Sequence, residues 1–381
     1  MTHALRLTGA KVLTSSGLRD MPLHLENGDI VETCDGRDVD LSGFWVLPGL
    51  VDIHGDAFEK HLAPRRGAMK SLDLGLMATE AELASNGITT GVLAQFYSWE
   101  GGMRGPDFAG QVFEALQEVS TRIDTTLMTQ LRFETHMIDD YAAMIAMVER
   151  FGISFVVFND HLPHADLAKG KMPPGHVGKS LKVGRNPDKN LEMMLAMHRA
   201  SADVPKALRA AVPKLKARGV RMGSHDESTA EQRRWWHDLG VHVCEFPETV
   251  AAAEAARGAG DAVIMGSPNL VRGGSHKGNV SALDVVTMGL CNALASDYHY
   301  PSLRRAAFLL ADSGVCDLPS AWRLISEGPA RVLGLTDRGR LEPGKRADVL
   351  VLDPETRDVC VTIAGGRITY MRGTAGDRFL A

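Results

Sequence analysis

The stretch from 47 to 61, LPGLVDIHGDAFEKH, brings His54, Asp56, Glu59 and His61 together just past a Pro-Gly break in an apolar run. Side chains two apart on an extended strand project from the same face, so His54 and Asp56 can reach one ion while Gly55 faces the other way. Similar residues close other apolar runs: Glu134 after LMTQLRF, Asn159-Asp160-His161 after ISFVVF, His225-Asp226 after GVRMGS, and Asp297, then His299, after CNALAS. Imidazole and carboxylate ligands without thiolate suit Zn, Mn or Fe better than a structural zinc cluster. Singly, each has an ordinary reading: Glu134 as a solvated acid, His161 as a core histidine bonded to backbone, Asp297 as a cap. Recurrence at successive run ends is what favours a site. His136, His164, His176 and His299 lie beyond the run ends and take no role, and Glu59 and His61 either support ligands or head the next loop.

The chemistry such a set supports is hydrolysis. One or two divalent ions held by His54, Asp56, Glu134, His161, His225 and Asp297 would lower the pKa of a bound water from about 15.7 toward roughly 7. Asp297 is the residue expected to orient that water and take its proton, with His225 the second catalytic candidate. The six ligands make either one mononuclear site with spectators or a bridged pair, and Glu134 decides between them. For the substrate, the segment 169–189, KGKMPPGHVGKSLKVGRNPDK, sets six basic side chains, Lys182 and Arg185 among them, against the single acid Asp188. Following the fourth apolar run directly, it is expected to form a basic lid over the site, suited to polyphosphate. Arg65 in APRRG, and Arg272, Ser275, His276 and Asn279 in VRGGSHKGN, add phosphate donors. The competing reading is a lysine-rich surface loop exposed to solvent.

What must position these groups is a repeating alternation. Strand-like runs fall near 46–54, 88–94, 127–134, 153–160, 219–225, 241–246, 262–266 and 291–297, with helical patterns at 107–121, 139–151, 202–218, 228–239, 249–260 and 302–315 between them. Gly87, Gly152, Gly219, Gly240 and Gly260 stand where left-handed helix caps belong, and Ser228 to Glu231 has capping-box spacing. Eight strand-helix units make a (β/α)8 barrel (48–338), whose chemistry belongs at the carboxyl ends of the strands. Residues 1–47 and 339–381 are short strand-like pieces with turns at Ser16-Gly17 and Asn27-Gly28. Neither end can bury a core alone, so both should form one small composite β-sandwich.

At 381 residues and net charge -5 there is no global attraction for nucleic acid or anionic lipid. Five cysteines without close pairing argue against a disulfide framework or thiolate cluster. No apolar run approaches the roughly 20 residues of a membrane span, and the N-terminus lacks signal-peptide order, so a cytoplasmic location is expected.

The stretches VLPGLVDIHGD and GRLEPGKRADVLVLD resemble the amidohydrolase superfamily, whose members pair a metal-bearing (β/α)8 barrel with a sandwich built from both termini. More narrowly, HGDAFEKHLAPR, LRFE, NDH, GSHDEST, EFPET, MGSPNLVRGGSHKGN and ASDYHYPS resemble the C-P lyase pathway enzymes that hydrolyse α-D-ribose 1-methylphosphonate 5-triphosphate to the 5-phosphate and diphosphate. The resemblance implies a divalent-metal diphosphatase of phosphonate metabolism, with zinc a leading candidate and a homodimer the assembly suggested at superfamily level. It departs from the wider pattern in Asp56 as second ligand and Glu134 in the bridging place. It departs from the narrow one in Gly55, where threonine is common, and in His299. The alternatives from other classes are a C-N hydrolase (N-acyl, cyclic amide or deamination substrates) and a non-enzymatic binding scaffold.

Overall fold

The structure is a computed structural model describing residues 4–63, 71–274 and 279–381. Eight parallel strands follow one another around a single sheet: β1 (Leu50–Gly55), β2 (Ile88–Tyr97), β3 (Thr126–Glu134), β4 (Phe155–Asn159), β5 (Arg221–His225), β6 (Val243–Glu245), β7 (Ala262–Gly266) and β8 (Ala293–Ala295). The ring closes through Asp297, whose N–H donates to the His54 carbonyl at 2.9 Å and whose carbonyl accepts from Asp56 N–H at 3.0 Å. Three site candidates are thus also the seam of the barrel.

Aliphatic side chains cause this arrangement. All ten residues of β2 are buried, because a barrel strand has core on one face and helices on the other. Val51, Ile53, Val92, Phe155, Val157, Val243, Ile264, Ala293 and Ala295 belong to one buried cluster. Outside, the helix Pro106–Val119 starts with proline at its first turn, where no N–H is needed, and buries Phe108, Val112, Phe113, Leu116 and Val119. Gly152 and Gly240 cap their helices in the left-handed conformation. The expected capping box is shifted by one residue: Thr229, not Ser228, accepts from the Gln232 N–H at 3.1 Å, and Gln232 Oε1 accepts from Thr229 N–H. Glutamine serves as well as glutamate there, which leaves Glu231 exposed.

The chain ends supply two further sheets. Lys11–Thr14, Gly17–Asp20, Trp45–Pro48, Val349–Leu352, Val359–Ala364 and Arg367–Met371 make a six-stranded sheet, and Leu5–Thr8, Leu23–Glu26, Asp29–Val31 and Arg37–Asp40 a four-stranded one. A cluster including Leu7, Val12, Leu25, Ile30, Val349, Val361 and Ile363 lies between them. Trp45–Pro48, continuous in sequence with β1, belongs to the six-stranded sheet, and the chain passes into the barrel at Gly49. That glycine is required, since a Cβ there would lie 2.5 Å from Thr89 Oγ1. All five cysteines are unpaired, and among the described residues no helix is long and apolar enough to cross a membrane.

Candidate active site

A cleft of about 320 Å³ opens at the carboxyl ends of the strands, lined in part by His54, Asp56, His161, His225, Asp226 and Asp297. Three strand ends turn sharply there: Asp226, Phe246 and Asp297 follow β5, β6 and β8 with φ of 60°, 55° and 55°. Left-handed backbone at a non-glycine residue costs on the order of 1–3 kcal/mol and concentrates where side chains must be aimed. Here it turns both aspartates into the cleft.

Beneath them, Glu245 joins two histidines. It ends β6 with no solvent exposure; its Oε1 accepts from His54 Nδ1 at 2.9 Å and its Oε2 from His225 Nδ1 at 2.8 Å. Gln130 Nε2 donates to Oε1 as well, at 2.9 Å. Burial alone would raise the Glu245 carboxyl, but the two imidazoles hold it well below the ordinary carboxylate range. With Nδ1 carrying the proton, each ring keeps its lone pair on Nε2; that of His54 is bare, which is how a carboxylate presents a metal-binding histidine, and that of His225 accepts from Arg132.

The residues present fit a divalent ion. His54 Nε2 is buried with no hydrogen-bond partner, an arrangement that is costly unless a cation is met there. Ligand atoms of His54, Asp56 and Asp297 lie within 4.8 Å of one another, and so do those of His161, His225 and Asp226. Burial first, and then the Asp56 charge, push the Asp297 carboxyl up to about 6.

Glu134 stands differently from its expected bridging place. Fully buried, it accepts from the backbone N–H of His161 at 3.0 Å and pairs with that ring's Nδ1. The side chain facing both ligand groups is Arg132, two residues earlier and on the same face of β3: its guanidinium donates to His225 Nε2 at 3.1 Å and lies 3.7 Å from Asp56. A fixed positive charge thus occupies the space between the two groups.

The phosphate candidates divide. Arg272 and Asn279 line the cleft. Arg272 donates to the Gly274 carbonyl at 2.9 Å, and Asn279 Nδ2 to Glu248 Oε1 at 2.9 Å. Arg65, Ser275 and His276 lie outside the described residues. Lys182 and Arg185 are not among the residues that line the cleft. The segment 169–189 folds into the helix His176–Lys182 and the start of Pro187–Arg199, with Leu162, Leu167 and Met194 packed together and Trp99 against them. His176 Nε2 donates to the Pro187 carbonyl at 2.7 Å, Arg185 donates to the Trp99 carbonyl, and Lys182 is exposed. Through Arg185 the segment is tied to Trp99 in the loop after β2.

In their place the cleft has Arg104 and Arg132, whose guanidinium carbons lie 4.2 and 4.0 Å from the centre of the Phe96 ring. Sequence reasoning missed both arginines, Phe96 and Glu245. Glu245 was within reach, since it ends the sixth strand as His225 ends the fifth. Arg104 lies in a loop with no pattern to mark it. His61 is held by Glu82, with Nε2 and Oε2 2.5 Å apart, so it supports the first loop.

Residues 158–370 match the model of the amidohydrolase family. The chain is 31% identical over 363 residues, 91% of its length and 94% of the relative's, to the α-D-ribose 1-methylphosphonate 5-triphosphate diphosphatase of Escherichia coli K12. It is also 36% identical over 134 residues, 32% of this chain and 22% of that protein, to the adenine deaminase of Methylobacterium nodulans. Among solved structures, the beta-aspartyl dipeptidase of Fervidobacterium islandicum superposes with a TM-score of 0.63 at 13% identity, covering 97% of each chain.

Proposed function

Since this chain belongs to the amidohydrolase family and is a metal-dependent hydrolase, we propose that it cleaves the phosphoanhydride between the α and β phosphorus atoms of a ribose 5-triphosphate such as α-D-ribose 1-methylphosphonate 5-triphosphate. Water adds to phosphorus, the bridging P–O bond breaks and diphosphate leaves. The observation that carries this reading is the arginine-lined wall: Arg104 and Arg132 over the Phe96 ring, with Arg272 in the same cleft. Fixed guanidinium donors match the charge and geometry of phosphate oxygens, which a neutral amide substrate would not need. The diphosphatase activity of the 31% identical relative supports the same choice.

His54, Asp56 and Asp297 would hold the ion, with His161, His225 and Asp226 able to hold another. When bound, a divalent ion supplies Lewis acidity and a water acidic enough to be deprotonated near neutral pH. Asp297 would receive that proton. Glu245 keeps the two imidazoles in the ligating tautomer. Arg132 contributes positive charge at the point where phosphoryl oxygens gain negative charge.

The test is a substrate comparison with the Mn- or Zn-loaded protein. Release of diphosphate from ribose 5-triphosphates, with no turnover of N-acyl amino acids, cyclic imides or adenine, is expected. The reverse pattern would overturn the phosphoanhydride reading in favour of C-N hydrolysis, which the local match to an adenine deaminase would then explain.

A further inference from the structure

We propose that His136, Asp160 and His164 form a second divalent-cation site, separate from the cleft and selective for a d-block ion such as zinc. None of the three is among the residues lining the cleft. Their ligand atoms lie within 4.8 Å of one another. His136 Nδ1 is 3.4 Å from Asp160 Oδ1, and His164 Nε2 is 3.1 and 3.0 Å from the two Asp160 oxygens. With metal–ligand bonds of about 2.0–2.1 Å, the edge of a coordination tetrahedron is roughly 3.3 Å, which the two spacings from the histidines to Asp160 match.

Proton bookkeeping points the same way. Ser201 Oγ donates its one hydrogen to the His198 carbonyl at 2.7 Å. Toward His136 Nε2, 3.0 Å away, it can therefore only accept, which puts the ring hydrogen on Nε2. The Thr135 hydroxyl lies 3.3 Å from His136 Nδ1 and 3.2 Å from the Asn159 carbonyl, and its one hydrogen serves only one of them. Nδ1 of His136, left without a hydrogen of its own, lies 3.4 Å from an Asp160 carboxylate oxygen. Two acceptors facing each other call for a cation between them, and a metal ion satisfies both. Behind His164, Nδ1 meets His198 Nδ1 at 2.7 Å, which lets His164 donate there and keep its Nε2 lone pair for the ion.

The burial gradient completes the picture. The His136 side chain is 6% exposed, while those of His164 and Asp160 are 34% and 43% exposed, so one face is embedded and the other open to an entering ion and to water as fourth ligand. The comparable group His237, His242 and Asp261 lacks this character: Asp261 already faces the buried guanidinium of Arg233, with Oδ2 3.3 Å from Nε. An ion at His136, Asp160 and His164 would fasten the loop after β3 to the segment after β4 and, through His198, to the end of the helix Pro187–Arg199. Asp160 is joined directly to His161, so the clamp would also stiffen the backbone that presents a cleft ligand.

The experiment is metal counting on full-length protein, stripped with chelator, reloaded with zinc and desalted before elemental analysis. His164→Ala, at a partly exposed helix start, and His136→Gln should each bind one zinc fewer per chain than wild type while keeping the wild-type circular dichroism. In a His54→Ala background, which weakens the cleft site, adding His164→Ala should remove one further zinc per chain. Loaded with cobalt instead, the His54→Ala protein should show tetrahedral d–d absorption that His164→Ala lowers by one ion per chain. Unchanged stoichiometry in both single variants would overturn the second site, whatever the protein hydrolyses.

Discussion

Nδ1 of His54 lies 2.9 Å from Oε1 of Glu245, both side chains fully buried and 191 residues apart in the chain. The same carboxylate holds His225 through its other oxygen. Replacing Glu245 with glutamine leaves one oxygen acceptor for two imidazole donors, so one ring loses its orientation. Metal affinity should fall about 10–100-fold, read by competition with a chromophoric chelator; wild-type affinity would show that Glu245 does not orient the ligands.

Asp297 combines a seam contact made by its backbone with a side chain in the cleft. Asparagine also tolerates its positive φ, so Asp297→Asn should fold and melt near wild type. Turnover should drop about 10²–10⁴-fold through loss of the proton acceptor. A kcat close to wild type would remove Asp297 from the proposed proton transfer.

Arg272 lies in the cleft and keeps its own partner in the Gly274 carbonyl. As a ground-state phosphate contact its removal should act on binding: Arg272→Ala is expected to raise KM for a ribose 5-triphosphate at least as much as it lowers kcat. Steady-state kinetics with wild-type KM would exclude the contact.

Gly55 has a steric explanation. A Cβ at this position would lie 2.7 Å from Asp52 Oδ2 and 2.8 Å from Tyr300 Cε1, both residues buried and Asp52 already bonded to Ser296 through backbone and hydroxyl. Gly55→Thr, the residue common in the narrower family, should therefore destabilise this chain by about 1–3 kcal/mol through overpacking. Denaturant unfolding would measure it, and an unchanged midpoint would point to a site role for the glycine.

Arg233 is fully buried with Glu227 at 2.7 Å and Asp261 at 3.3 Å. Arg233→Met leaves two buried carboxylates without their cation and should cost about 3–5 kcal/mol. Removing the exposed partner of Glu114 by Arg150→Ala should cost at most about 1 kcal/mol, since water already screens that pair. Equal losses in thermal unfolding would contradict this reading of the buried group.

Much of the architecture could be read from residue order. The eight parallel strands fall where apolar runs were expected, because a barrel strand buried on both faces must be continuously apolar. His54, Asp56, His161, His225 and Asp297 line one cleft, since each closes or follows such a run. The basic segment is different: lysine content reports charge, while where its side chains lie depends on contacts such as that of Arg185 with the Trp99 carbonyl and of His176 with the Pro187 carbonyl.

By itself, then, the order of residues determined the barrel, the two terminal sheets and which strand ends line the cleft, because periodicity and strand-end position are local properties of the chain. Only the tertiary structure decided that Glu245 binds two histidines, that Arg132 rather than Glu134 faces both ligand groups, that Gly55 leaves room for Tyr300, and that Arg104 meets Phe96. Each of these depends on where a side chain points once the barrel has closed, and closure brings together residues whose separation along the chain carries no signal of contact.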